Sequence, residues 1–354
     1  MGHIQDRIIY PDLIRIIATF MVIILQVNAS KWYTSPVYGF NWQVMNVYGC
    51  LVRSSVPLFF MVSGMFMLDT NKELNLKKLF CHHILPILAS LLLFQFFYDV
   101  FWFIGGNIKH FGETKLDIVD FFIDYFRHLL FAPYYHLWFL YTLIGLYILT
   151  PIIRVGLKNA VEKDIKYLMI VFFCGLCIRF CSELVKIRND NLQLFINFPE
   201  YSGYIIYYLS GYYFSKYHVV DKIRKILISL GIISLVLAIV LTSLFSVKMG
   251  KPESILYDYL SPFTFFESIA VFLLIQHRFE NRNNIKLIEL ISKLTFGVYL
   301  VHDFFLTLFW KIGISIDNSK VILLVPLIAV CVFILSLSLS LFLSKLPYIK
   351  KIIF

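Results

Sequence analysis

Three polar residues interrupt YPDLIRIIATFMVIILQVNAS, a stretch that is otherwise nearly continuous hydrocarbon: Asp12, Arg15 and Gln26. At about 100° per residue, positions 15, 19, 22 and 26 fall on one helical face. Arg15 and Gln26 therefore point the same way, within about 20° of each other and about 16 Å apart along the axis. Further ionisable groups sit in other apolar runs. They are Arg53 in RSSVPLFFMVSG, His136 in YYHLWFLY, His302 and Asp303 in TFGVYLVHDFF, and Asp99, Asp258 and Glu267. A charge at the bilayer centre costs about 3 kcal/mol on insertion scales, so each needs a reason. Arginine binds an anion or steadies a developing oxyanion. Histidine can take a proton from a hydroxyl near neutral pH. Glutamine can only donate and accept hydrogen bonds.

Each group also has a plainer role. Asp12 and Arg15 have the i, i+3 spacing of an ion pair, with Arg15 snorkelling to the interface. Gln26 could tie helices together, and a lone histidine is commonly part of the packing. These roles do not explain arginines, histidines and acids spread over several spans. Together the groups imply a buried polar cavity reached from both sides of a membrane.

The elements that must hold these residues are apolar helices. The chain has 354 residues, 59% of them hydrophobic and 15% charged, with mean hydropathy +0.77. That leaves too little charge to solvate a soluble surface. Apolar runs long enough to cross a bilayer recur throughout, which predicts an all-α polytopic bundle of about ten spans. They are 9–30, 42–68, 79–104, 134–153, 166–185, 201–217, 224–246, 256–277, 294–312 and 321–344. An even number puts both termini on one side. Loops on that side hold 19 Lys and Arg, the opposite loops 10, so the positive-inside rule makes the termini cytoplasmic.

The whole of 1–354 reads as one membrane-embedded domain, with no cleavable signal peptide expected. The net charge of +10 resides in short loops rather than in a basic domain, so no nucleic-acid partner is expected. The six cysteines form no framework; helix packing outweighs metal or redox work for Cys174, Cys177 and Cys181. No GxSxG elbow, HExxH helix or phosphate loop is present. His82-His83 lack a third ligand, and no metal is expected. In the loop 105–133, Ile118, Phe121, Phe122, Tyr125 and Phe126 recur at helical spacing, predicting a short helix on the membrane surface.

The chain resembles the acyltransferase-3 membrane acyltransferases of bacteria over nearly its whole length. The resemblance is carried, in order, by YPDLIRIIATFMVIILQVNAS, RSSVPLFFMVSGMFML, HLWFLYTLIGLYILTPIIR and LTFGVYLVHDFFL. Size and the HLWFLY run are similar to the subgroup without a fused esterase-like domain. The resemblance implies a multi-pass protein of the bacterial cytoplasmic membrane. Such a protein takes an acyl group, usually acetyl from acetyl-CoA, and delivers it to a hydroxyl of a cell-surface or lipid-linked glycan.

In the family's first span an Arg is followed, after ten residues, by a His. Here the Arg is Arg15, but Gln26 holds the histidine's place. The family also carries paired arginines leading into the third span, toward the CoA phosphates. This chain has LKKLFCHHILP, where Lys77 and Lys78 keep positive charge. The resemblance thus nominates Arg15 and Gln26 for the chemistry and Lys77 and Lys78 for holding substrate; the polar interruptions themselves add Arg53 and His136 to the first group and Asp12 and His302 to the second. Three accounts of Gln26 stay open. The chain is an engineered His-to-Gln form, the base has moved with His136 the candidate by depth, or the protein binds or exports a glycan without acylating it.

Overall fold

The computed structural model describes residues 8–107, 118–131, 133–186, 200–283, 285–316 and 320–353. The expected surface helix forms as α6 (Ile118–Phe131). The loop residues 108–117 and 187–199, which carry part of the charge tally, lie outside the described set.

Nine stretches among the described residues are helical, long and apolar enough to cross a membrane. They comprise α1 (Tyr10–Trp32), α2 with α3 (Phe40–Leu51, Ser55–Met67), α4 running through a π turn into α5 (Leu76–Leu79, Phe80–Ile84, Leu85–Asn107), α7 (Trp138–Lys158) and α8 (Glu162–Lys186). The rest are α10 (Asp221–Met249), α11 (Pro262–Phe279), α12 (Lys286–Lys311) and α13 (Val321–Leu343). The tyrosine-rich α9 (Glu200–Lys216) is shorter, at 17 residues, yet buries Tyr207, Tyr208 and Tyr212 in the core. A short α14 (Pro347–Ile353) follows α13.

Several helix bounds differ from the sequence reading, and three of the differences bear on the site or its approach. The second span is not one helix: it breaks at Val52–Ser54. Pro57 supplies the cause, because its ring clashes with the carbonyl four residues back, at Arg53, and it offers no N–H. The fourth span starts at Trp138 rather than near 134, so His136 sits on the turn before α7. Helix α12 begins at Lys286 rather than 294. Its first turns, KLIELISK, alternate charge with aliphatics, and Glu289 and Lys293 pair at 2.7 Å. An average over hydropathy passes over that amphipathic lead-in.

Helix α1 packs against α3, α12 and α13. Its start lies beside the end of α3, where the Tyr10 hydroxyl meets Met65 Sδ at 3.3 Å. The end of α13 returns to the same level, with Ser340 Oγ donating to the Leu294 carbonyl (2.9 Å). This end of the bundle is the near end below; the other is the far end.

Helices α3 and α9 cross in backbone contact. A Cβ on Gly64 would come within 1.8 Å of the Tyr208 carbonyl, and one on Gly211 within 1.8 Å of the Met61 carbonyl. Small residues are what permit such approach between membrane helices. The crossing fixes α3, and with it the helix break at Arg53.

Candidate active site

A cleft of about 220 Å³ opens among α1, α3, α5, α7 and α12. Arg15, Ser63, Tyr147, Thr295 and Tyr299 supply its polar atoms; Phe59, Ile87, Phe139, Leu143 and Phe296 complete the wall. Arg15 stands at the near end, where α1 and α3 run antiparallel. Its guanidinium is 3.6 Å from Asp12 and 5.2 Å from the Phe66 ring centroid. Asp12 is almost fully enclosed and accepts a 2.7 Å hydrogen bond from Ser292 Oγ. The expected ion pair therefore exists, but it is anchored to α12 and aimed along the cleft wall.

One turn beyond the cleft, toward the far end, the structure gathers His136, His302 and Asp303. The Tyr299 hydroxyl, at the cleft's end, donates to the His136 carbonyl. The imidazoles of His136 and His302 lie edge to face, 5.3 Å between centroids. His136 Nδ1 is 3.9 Å from Asp303 Oδ2, and Asp303 Oδ1 accepts from the Tyr135 hydroxyl. His302 Nδ1 donates to the Tyr299 carbonyl at 2.5 Å, one turn back on α12. Among the described residues, that leaves His302 Nε2 and both ring nitrogens of His136 buried without a hydrogen-bond partner. Buried polar atoms normally find partners, so three in one place mark a site built to receive something. Burial, with His302 alongside, lowers the pKa of His136 well below its ordinary value and so favours the neutral ring.

The helix break makes a third feature. Arg53 lies in it with its guanidinium 4.0 Å from the ring centroid of Tyr259 and 5.2 Å from that of Tyr257. Among the described residues its Nε has no hydrogen-bond partner, and neither does the enclosed hydroxyl of Ser55. Tyr259 stacks at a tilt on Trp138 (5.5 Å), two residues from His136. Arg53 and His136 thus flank one aromatic wall.

Gln26 is half-buried on α1, and its amide forms no hydrogen bond with any described residue. The match of Asp12 with Ser292 sets the register of α1 and α12, which run parallel. By that register Gln26 lies about one turn, roughly 6 Å, beyond His302 toward the far end. Lys77 and Lys78 are exposed at the near end on α4 (Leu76–Leu79), ahead of the π turn that carries His82 and His83. His83 packs edge-on to Tyr147 of the cleft, 6.3 Å between centroids. Arg15 and Asp12 thus share the cleft's near end, His136 and His302 sit beyond its far end, and Arg53, Gln26, Lys77 and Lys78 each stand apart.

The sequence reading did not place Tyr135 or Asp303 in the site. Asp303 stood among the polar interruptions of the apolar runs without a role, and Tyr135 had no hint beyond its histidine neighbour. The sequence reading also left Asp99 unassigned. Asp99 accepts from Tyr134 (3.1 Å) and Gln95 (3.1 Å) and lies 2.7 Å from His128 Nδ1, a network that ties α6 to α5 beside the cluster. Among the described residues no group of three or more His, Cys, Asp or Glu could hold a metal ion.

A family model described as an acyltransferase domain matches residues 8–345. No curated protein and no solved structure gives a significant match.

Proposed function

The chain belongs to the acyltransferase-3 family, whose model spans nearly all of it, and on that premise we propose that it moves an acyl group from an acyl-CoA to a glycan hydroxyl, with His136 as the base. The acyl group is acetyl in the simplest case. The glycan is of the cell surface or lipid-linked, and the membrane is the bacterial cytoplasmic membrane, with the near end inside.

The observation that carries this reading is the state of His136. Among the described residues both of its nitrogens lack a hydrogen-bond partner, and a carboxylate stands at 3.9 Å, one turn past a cleft that has a guanidinium at its other end. The thioester arm lies in the cleft, its entry guided by Arg15. The sugar oxygen attacks the thioester carbonyl carbon and a C–O bond forms. The hydroxyl proton passes to His136, and Asp303 offsets the charge of the imidazolium. As the C–S bond breaks, His136 returns the proton to the departing sulfur. Arg53, across the aromatic wall, steadies negative charge on the carbonyl oxygen. Gln26 holds the acceptor by hydrogen bonds.

One observation favours a second reading, a glycan binder or exporter without acyl transfer: an amide at position 26 cannot act as a base. A single experiment separates the two. Membranes with the wild-type chain, His136→Asn and Gln26→His are given radiolabelled acetyl-CoA and the host glycan fraction. The proposal expects labelling by wild type, loss in His136→Asn and retention in Gln26→His. Labelling by Gln26→His alone would overturn the role of His136. Labelling by none, with glycan still bound, would favour the second reading.

A further inference from the structure

The space around His136 is closed. Its side chain is fully buried, and that of Asp303 is 4% exposed. Among the described residues four rings enclose the imidazole: Tyr98 at 5.0 Å between centroids, His302 at 5.3 Å, Tyr135 at 5.4 Å and Tyr299 at 6.1 Å. Three of them are fixed. Tyr98 is buried on α5, and its hydroxyl donates to the Leu300 carbonyl (2.9 Å). Tyr299 and His302 are buried on α12, each bonded to a backbone carbonyl, that of His136 and that of Tyr299. Moving any of these walls would move a packed helix.

Tyr135 is built differently. It stands on the turn before α7, and it is 49% exposed. Its hydroxyl is bonded to a side chain, the Asp303 carboxylate. Rotation of this one side chain breaks that bond and opens His136 to the far side, with the helices left in place. The bond also has a chemical meaning. An acceptor hydroxyl that gives its proton to His136 must arrive beside Asp303, whose Oδ2 is 3.9 Å from His136 Nδ1. The Tyr135 hydroxyl already occupies that place with an O–H of its own.

Water competes for the same place. Its oxygen would bond to the thioester carbon, the C–S bond would break, and its proton would pass through His136 to the sulfur, releasing carboxylic acid and free thiol. Closing an active site is what prevents such loss. A water molecule gains no more than the one bond it displaces. A sugar brings several hydroxyls and an apolar face, and Trp138, tilted on Tyr259 at 5.5 Å, stands three residues along the chain to take that face. We infer that Tyr135 is a gate that selects glycan over water: its hydroxyl stays on Asp303 and shuts His136 off from the far side until a glycan hydroxyl displaces it. The selection rests on the acyl-CoA reading above; the closure is a property of the turn itself.

Two measurements on the full-length protein in nanodiscs, which leave both faces accessible, test the gate. The first needs no substrate. Diethyl pyrocarbonate modifies unprotonated histidine nitrogens, and its reaction at His136 is followed by peptide mass spectrometry, with the exposed His82 and His218 as internal standards. The rate at His136 should rise about tenfold or more in Tyr135→Phe, which keeps the ring and loses a hydrogen bond to a charged group, and further in Tyr135→Ala. Tyr38→Ala, at another exposed far-end tyrosine, should leave it unchanged, and the standards should not move in any variant. The second measurement is thiol release from acetyl-CoA without glycan, set beside acetyl transfer to the host glycan fraction. Thiol release should rise in the same order of variants and vanish when Tyr135→Ala is combined with His136→Asn. An unchanged rate at His136 in both Tyr135 variants would overturn the gate. Faster modification without faster thiol release, while the wild type acylates glycan, would overturn the selection and leave the acyl-CoA reading standing. Neither transfer nor thiol release by any form would sink that reading and the selection with it, and the labelling would still decide the closure.

Discussion

At the scale of single residues, the interest lies in which group takes the proton. His136 and Gln26 sit about one turn apart in depth, but only His136 is titratable and only it has a carboxylate beside it. His136→Asn should lower acyl transfer by about 10² to 10⁴ in kcat with little change in donor KM, measured on purified protein. The pH profile follows from sign. Burial lowers the His136 pKa, so the neutral base form persists as pH falls, and the acid limb of kcat should lie below the ordinary histidine value of about 6.5. A limb at or above that value would point to a different base. Asp303→Asn should keep the fold and slow transfer, because the imidazolium would form without its neighbouring charge. Asp12, Arg15, His136 and His302 were visible in the sequence as polar interruptions of apolar runs. The contact between His136 and Asp303 was not, since 166 residues separate them and nothing local encodes which loop returns to which helix.

Elements decide where those residues stand, and glycine decides the elements at one crossing. Gly64→Ala and Gly211→Ala each push a methyl into a carbonyl oxygen at 1.8 Å, backbone that cannot turn aside. Each should destabilise the protein by about 1–3 kcal/mol or more, read as a lowered midpoint in a detergent thermal-shift series. Gly145→Ala, on α7, meets nothing within 4 Å and should be neutral or stabilising by up to about 1 kcal/mol. The pattern of long apolar helices, nine among the described residues, was legible because each run carries its own hydropathy; the break in the second was not placed. The glycine crossing was not legible: Gly64 reads as an ordinary loosening residue until Gly211, far along the chain, is placed against it. Start points misread at α7 and α12 have one cause, since hydropathy sees the lipid-facing stretch and not the amphipathic or turn residues before it.

For the molecule as a whole, sidedness is the property that the charge bias expects and the cleft requires. With the native cysteines replaced by serine, a cysteine at Lys158 should react with a membrane-impermeant maleimide only in inverted vesicles, and one at Lys251 only in right-side-out cells. The reverse pattern would put the near end on the wrong face for a cytoplasmic donor. The break at Arg53 has a further consequence, in time rather than in space. Arg53 is stacked on Tyr257 and Tyr259, which leave the ribosome more than 200 residues later. At about 5–20 residues per second, the arginine waits roughly 10 to 40 s in the membrane before its tyrosines exist. During that interval the nascent span carries an arginine without its aromatic partners, so the order of synthesis, and not the finished bundle alone, bears on how the second span is inserted.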